Sequence, residues 1–158
     1  MVRVNEILQQ KEYKACYEAI SECEKTRIFC RHNMSHFLDV ARLAYIESLK
    51  RNIKVDKEII YATAILHDIG RHLQYRENIP HEEASVLIAE QILEHCHFQK
   101  EETGQILEAI ASHRNEEIRG CADLKGLIYR ADKMSRLCFA CDAREECNKS
   151  DEKKRLEL

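Results

Sequence analysis

The residues of this chain best suited to chemistry are histidines and aspartates on the apolar faces of predicted helices. Four such faces each carry one of them: His36, His67, His113 and Asp132. An imidazole or a carboxylate that faces a protein core must find a polar partner. One metal ion can be the partner of several, because helices packed around a point bring together ligands that are distant in sequence. With Asp68 directly after His67, the pattern indicates a metal site inside a helical domain.

Each of these residues also has a simpler interpretation. An inward histidine on its own is more often hydrogen-bonded in a core than bound to a metal. His81 could lie exposed at a helix N-terminus, and His113 could interact with the dipole at a helix C-terminus. His32, one turn before His36, could orient that residue, but a place in the pocket wall or at the surface fits it better than a ligand role. The remaining histidines, His72, His95 and His97, fit no ligand position.

The composition favours one all-α domain as the fold that positions these residues. The chain has 158 residues, of which 44% are hydrophobic and 34% are charged. This length supports one sizeable core and is too short for two ordinary domains. Four glycines, one proline and no tryptophan leave few turn formers among many helix formers. We therefore expect a compact bundle of about six helices.

Apolar periodicity predicts where these helices lie. We expect them at about residues 3–24, 31–51, 57–69, 81–96, 100–113 and 124–140, with Asp56 and Asp123 as N-caps of the third and the sixth. Residues 71–80 show no period and contain the proline, so we expect a loop there. The charged residues from Asn148 onward are expected to form a frayed end.

Three segments, taken in order, are similar to the motifs of a known family. They are residues 36–41 (HFLDVA), 64–71 (AILHDIGR) and 129–135 (YRADKMS). They resemble the His, His-Asp and Asp motifs of the HD-domain phosphohydrolases, and the resemblance spans about residues 30–140. It places an HD core at 30–140. With the length and the periodicity, we expect a single domain over residues 1–158 that adds an N-terminal helix at 1–24 and a charged C-terminal tail at 142–158.

The same resemblance implies a metal site and a reaction. One divalent ion (Mn, Fe, Co or Zn) would be held by His36, His67, Asp68 and Asp132, and a second ion by Asp68, His81 and His113. The reaction would be hydrolysis of a phosphate ester or anhydride, in a nucleotide or a related small phosphorylated metabolite, by metal-activated hydroxide. Asp68 would be the central catalytic residue. Arg71 would bind substrate phosphate, and Lys133 or Arg130, which flank Asp132, could help neutralise it. Each of the three could instead be a solvated charge.

Two other functions stay open on the same residues. A few HD proteins are similar to phosphohydrolases in sequence and yet activate oxygen at a di-iron centre. A non-catalytic module that binds a phosphorylated metabolite is the other alternative. A cyclic-dinucleotide phosphodiesterase is disfavoured, because the Gly-Tyr-Pro signature of that group is absent.

The chain contains eight cysteines, three of which form a possible second metal site. Cys138, Cys141 and Cys147 form a Cys-x2-Cys-x5-Cys group that could hold a structural zinc ion or an iron–sulfur cluster. Such a site usually requires a fourth ligand, and the spacing does not identify one. Buried or redox-responsive thiols are therefore the better interpretation.

Charge and hydropathy narrow the range of partners. The formal net charge is −3 and no basic stripe is present, which disfavours nucleic acid. No apolar run approaches the roughly 20 residues of a membrane span, and the first residues lack a signal-peptide core. We expect a cytoplasmic protein whose partner is a small phosphorylated substrate. The resemblance also permits a homodimer.

Overall fold

The computed structural model describes residues 1–157, which form eight α-helices, three short 3-10 turns and no strand. The helices are α1 (Val2–Gln9), α2 (Lys11–Cys23), α3 (Met34–Lys50), α4 (Lys57–Leu66), α5 (Arg71–Glu77), α6 (His81–His95), α7 (Lys100–Ser112) and α8 (Leu124–Met134). The 3-10 turns are Glu116–Gly120, Cys138–Ala140 and Asp151–Lys153. The predicted all-α fold is confirmed.

The centre of the bundle is α4. Its apolar residues point in nearly all directions and are buried, among them Ile60, Ile65 and Leu66, because α1, α3, α7 and α8 pack around it. Burial of large aliphatic side chains is the dominant stabilising contribution in such a core. The last turn of α4 therefore ends deep inside the bundle. His67 and Asp68, which follow it, are 0% and 3% exposed.

Three of the helices that lead to candidate ligands begin at side-chain N-caps. Asn33 Oδ1 accepts a hydrogen bond of 3.0 Å from the backbone N–H of His36 at the start of α3. Asp123 Oδ1 accepts one of 3.0 Å from Gly126 N at the start of α8. Asp56 caps α4 in the same way, so both predicted caps are confirmed. Each cap satisfies a backbone donor that the helix itself leaves free.

The structure corrects three helix predictions. The helix expected at residues 124–140 ends at Met134, and Cys138–Ala140 is a separate 3-10 turn. The single helix expected at residues 3–24 is two helices, because Gln10 has extended backbone angles (φ −59°, ψ 135°) that end α1. The loop expected at residues 71–80 is wrong, since α5 occupies Arg71–Glu77. This helix is short and buries one side chain, His72, so it has no apolar period to detect. Asn78 ends it in the left-handed region, at φ 57°.

The chain after α8 folds back over the bundle. Cys138 and Ala143 are buried, and Lys149 and Lys154 are half-buried where they line a cavity. The frayed end expected from Asn148 stays a prediction. Within residues 1–157, no helix has the length and apolar character needed to cross a membrane.

Candidate metal centre

Six of the candidate ligands converge at one point in two groups of three. His36, His67 and Asp132 form the first group, and Asp68, His81 and His113 form the second. Within each group the ligand atoms lie within 4.8 Å of one another. These residues come from α3, the end of α4, the start of α6, the end of α7 and α8. The structure thus brings together every residue for which a ligand role at the main site was predicted.

Asp68 lies between the two groups. Its Oδ2 is 3.2 Å from His67 Nε2 and 3.8 Å from His36 Nε2, on the side of the first group. Its Oδ1 is 2.9 Å from His81 Nε2 and 3.5 Å from His113 Nε2, on the side of the second. A carboxylate with one oxygen facing each group can contact ions in both.

Each histidine of the two groups directs Nε2 inward and holds its other ring nitrogen outward. Nδ1 lies 2.7 Å from Ala64 O in His67 and 2.6 Å from Ile110 O in His113. In His81, Nδ1 is 2.6 Å from Gln74 Oε1, and in His36 it is 3.2 Å from Ser135 Oγ. In His67 and His113, an Nδ1–H that donates to the backbone carbonyl directs Nε2 and its lone pair inward. This is the orientation in which histidines usually bind metals.

Several inward atoms are left without a hydrogen bond. His36 Nε2, His67 Nε2 and Asp68 Oδ1 are buried side-chain atoms that form no hydrogen bond among the residues described, although Asp68 Oδ1 lies 2.9 Å from His81 Nε2. Such groups are costly in a protein interior unless something satisfies them. Neutral imidazoles and carboxylates at this spacing are suitable ligands for a divalent transition metal. The residues present therefore fit one or two divalent ions.

The two carboxylates of the centre are held in the charged form. Burial acts to raise the pKa of Asp68, but His67 and His32 hold it well below its usual range. Burial opposes ionisation of Asp132 as well, and Lys133, His67 and Arg136 lower its pKa in spite of this. A carboxylate must be ionised to bind a metal, so both groups are ready to act as ligands at neutral pH.

Two of the three basic residues predicted to contact substrate phosphate, Arg71 and Lys133, line the cavity above the centre. Lys133 Nζ lies 2.6 Å from Asp132 Oδ2. Arg71 Nη1 lies 2.8 Å from His81 Nδ1, and its Nε donates to Tyr75 Oη at 3.3 Å. By contrast, Arg130, the other basic neighbour of Asp132, pairs with Glu47 at 2.6 Å and is not part of the cavity wall.

A buried polar network beside the centre was missed from the sequence. Glu24 is 3% exposed, and its Oε1 lies 2.5 Å from His32 Nδ1 and accepts a hydrogen bond of 2.6 Å from Tyr75 Oη. His32 lines the cavity, as expected, with Nε2 3.6 Å from Asp68 Oδ2. The turn between α2 and α3 brings Glu24 and His32 together. No residue pattern signals that contact in advance.

The C-terminal cysteines stand apart from the two ligand groups. Cys138, Cys141 and Cys147 line the same cavity, but none of them joins a group of three ligand atoms within 4.8 Å in the described chain. The structure thus adds no fourth ligand to this motif. Of the other histidines, His72 is buried beside Ile69 O, whereas His95 and His97 are exposed, and none of these three belongs to the centre.

Comparison with known proteins agrees with this geometry. The sequence model of the HD domain family matches residues 33–137, which include all six ligand candidates. The chain belongs to the HD domain family. That family is one of metal-dependent phosphohydrolases whose domains bind divalent metals. The sequence resemblance is therefore confirmed, at the level of the family.

One relative is similar over the whole chain. An uncharacterized protein of Clostridium beijerinckii is 45% identical over 158 residues, which cover 100% of this HD-domain chain and 99% of the relative. No solved structure matches the chain.

Proposed function

We propose that this HD-domain protein hydrolyses a phosphate ester or anhydride in a nucleotide or a related small phosphorylated metabolite. The observation that carries the proposal is the position of Asp68 between two groups of inward Nε2 and carboxylate atoms, at the base of a cavity lined by cations. The cavity has a volume of about 540 Å³, which is in the usual range for sites that bind small molecules.

The residues divide into those that would hold metal and those that would hold phosphate. His36, His67, Asp68 and Asp132 would hold one divalent ion, and Asp68, His81 and His113 a second. Bound there, such ions would lower the pKa of a water molecule and polarise a phosphoryl oxygen. The guanidinium of Arg71 and the ammonium of Lys133 would bind phosphate oxygens by charge-assisted hydrogen bonds.

The compartment and the partner form part of the same proposal. All eight cysteines are free thiols, which suits a reducing compartment such as the cytoplasm. The partner would be the phosphorylated substrate itself. Manganese, iron, cobalt and zinc all suit a site of imidazoles and carboxylates, so the test begins by measuring which of them is bound.

The test combines elemental analysis with a phosphate-release screen. Protein purified without a metal-affinity tag is analysed for transition metals and then assayed with mono-, di- and dinucleotides in manganese. We expect bound metal and phosphate release in the wild type, and loss of both in Asp68→Ala. The matched control is His95→Gln, an exposed histidine outside both groups, which should behave as the wild type.

Two results would contradict the proposal. Metal that is retained without turnover of any phosphorylated compound would favour a binding module or an HD-type di-iron oxygenase. Phosphate release that persists in Asp68→Ala would place the reaction elsewhere in the molecule.

A further inference from the structure

The cavity above the metal centre contains far more positive charge than the chain as a whole. Of 25 lysines and arginines in the sequence, nine line this one cavity, together with three of the 28 acidic residues. Two of those three, Asp68 and Asp132, belong to the metal groups. A concave surface of one charge sign raises the local concentration of the opposite ion. This surface therefore attracts anions on a protein whose net charge is −3.

Six of these cations come from segments that flank the ligand-bearing helices. We call them the flanking cations: Arg27 and Arg31 before α3, and Arg136, Arg144, Lys149 and Lys154 after α8. All but Arg136 lie outside residues 33–137, the part of the chain that matches the HD domain family. The ligands of the metal centre, in contrast, all lie inside that match. Five of the six flanking cations thus lie outside the part of the chain that matches the family.

Four of the flanking cations have no acidic partner in the structure. Arg27, Arg31, Arg144 and Lys149 form no ion pair within 4.0 Å among residues 1–157. Arg27 and Arg31 donate instead to backbone carbonyls, those of Cys30 and Arg27. By contrast, Arg136 and Lys154 pair with Asp132 and Asp151 at 3.3 and 3.0 Å.

Lys149 is a flanking cation in unfavourable surroundings. It is half-buried, and burial together with the nearby charge of Arg136 lowers its pKa. A cation that its surroundings destabilise gains most when an anion binds next to it. The wall formed by residues 136–154 is therefore suited to a negatively charged group in addition to the one at the metal centre.

We infer that the flanking cations bind a second phosphate of the substrate, which therefore carries at least two phosphate groups in series. The inference rests on the proposed function, because it places the first phosphate at the metal centre. One phosphate there would be neutralised by bound divalent ions with Arg71 and Lys133. The unpaired guanidiniums of Arg27, Arg31 and Arg144 match the planar, bidentate geometry of a further phosphate.

The experiment measures binding, so it does not depend on turnover. Methylenediphosphonate and methylphosphonate, which resist hydrolysis, are titrated by calorimetry into manganese-loaded protein at a fixed excess of free manganese. We expect the wild type to bind the diphosphonate at least about tenfold more tightly than the monophosphonate, a ratio that corresponds to one additional charge-assisted contact. The preference should decrease as salt is added, because the flanking cations are accessible to solvent.

Two pairs of substitutions assign that preference to the flanking cations. Arg144→Gln with Lys149→Gln should abolish most of the preference and leave the affinity for methylphosphonate unchanged. Lys50→Gln with Lys54→Gln removes the same charge from exposed positions outside the cavity and should leave both affinities unchanged. Arg27→Gln with Arg31→Gln tests the opposite wall, in case the first pair disturbs the fold of the tail.

The outcomes separate this inference from the proposed function. Equal binding of the two phosphonates by the wild type, or an unchanged preference in both cavity variants, would overturn the inference even if phosphate release is observed. A diphosphonate preference that the cavity variants lose supports the inference, even if no phosphate release is found.

Discussion

At the scale of single residues, the centre depends on which nitrogen of each imidazole is free. Backbone carbonyls fix the rings of His67 and His113, and Gln74 fixes that of His81. These contacts select the ring orientation before any ion is present, which reduces the cost of organising the site on binding. Asp68, a member of the second group, also faces the first, and the two groups consist of different residues. Their metal contents should therefore be separable by mutation.

Substitution of His113 tests whether the two groups bind separate ions. We expect His113→Gln to lower the metal content by one ion per chain and to leave the other ion, because His36, His67 and Asp132 remain in place. His36→Gln should remove the ion of the first group instead. Elemental analysis measures the metal content of both variants. A manganese titration that is monitored by electron paramagnetic resonance measures how many ions each variant binds. An unchanged stoichiometry in His113→Gln would show that the second group binds no ion.

Substitution of Glu24 tests how much the buried polar network contributes to the free energy of unfolding. Burial raises the pKa of this carboxyl, but the hydrogen bond from His32 and the contact with Tyr75 outweigh it and lower the pKa from 4.5 to about 2. A lowered pKa in the folded state stabilises the protein above the unfolded pKa, and this stabilisation is lost as the pH falls through the folded value. Above about pH 5, Glu24→Gln should therefore lower the free energy of unfolding by about 3 kcal/mol.

The measurement is urea unfolding of metal-free protein between pH 3 and 7, so that loss of metal does not contribute. The difference between the wild type and Glu24→Gln should become smaller as the pH falls. Glu22→Gln is the matched control, because Glu22 is an exposed residue two positions away. A difference that is independent of pH would contradict the assigned role of the Glu24 carboxylate.

At the scale of elements, the helices that carry ligands could be predicted and the connections between them could not. The helices α3, α4 and α8 have apolar residues at helical spacing. This periodicity identified the helix faces on which His36, His67 and Asp132 lie. The break at Gln10 and the helix α5 depend on tertiary packing that no local period records. For the same reason, the contact between Glu24 and His32 was not predicted.

Gly70 controls how closely α5 approaches α6. A Cβ atom at this position would lie 2.5 Å from Ser85 N and 2.7 Å from Ala84 Cβ, and Gly70 N donates to Ser85 Oγ at 2.9 Å. Because the closest atom belongs to the backbone, α6 would have to move, and His81 at its start would move with it. We expect Gly70→Ala to destabilise the protein by about 1–3 kcal/mol and to weaken manganese binding at the second group.

Gly104 provides the control for that substitution, since a Cβ there would meet nothing within 4 Å. Gly104→Ala should stabilise the protein by about 0.5–1 kcal/mol through helix propensity in α7. Urea unfolding and manganese titration of both variants test the comparison. Wild-type stability and metal affinity in Gly70→Ala would show that α6 is not held in place by this contact.

At the scale of the whole molecule, charge is distributed very unevenly. The net charge of −3 argued against nucleic acid but did not reveal the positive cavity, because its cations are spread from Arg27 to Lys154 along the chain. They become neighbours when the chain after α8 folds back over the centre. A linear pattern of charge cannot show this, since it depends on long-range contacts between segments that have no apolar period.

Removal of metal should destabilise the whole bundle, because the ligands join helices from both halves of the chain. The ligands lie on five helices or at their ends, namely α3, α4, α6, α7 and α8. The unfolded chain does not bring these ligands together. A ligand present at about 1,000 times its dissociation constant stabilises the folded state by about 4 kcal/mol, which for a chain of this size raises the Tm by roughly 10 °C. We expect a chelator to lower the Tm by that amount and added manganese to restore it.

The control is Asp68→Asn, which removes the carboxylate that faces both groups. The Tm of this variant should respond to neither treatment. If calorimetry finds equal Tm values for metal-loaded and chelated wild type, then ions at this centre do not contribute to holding the helices together.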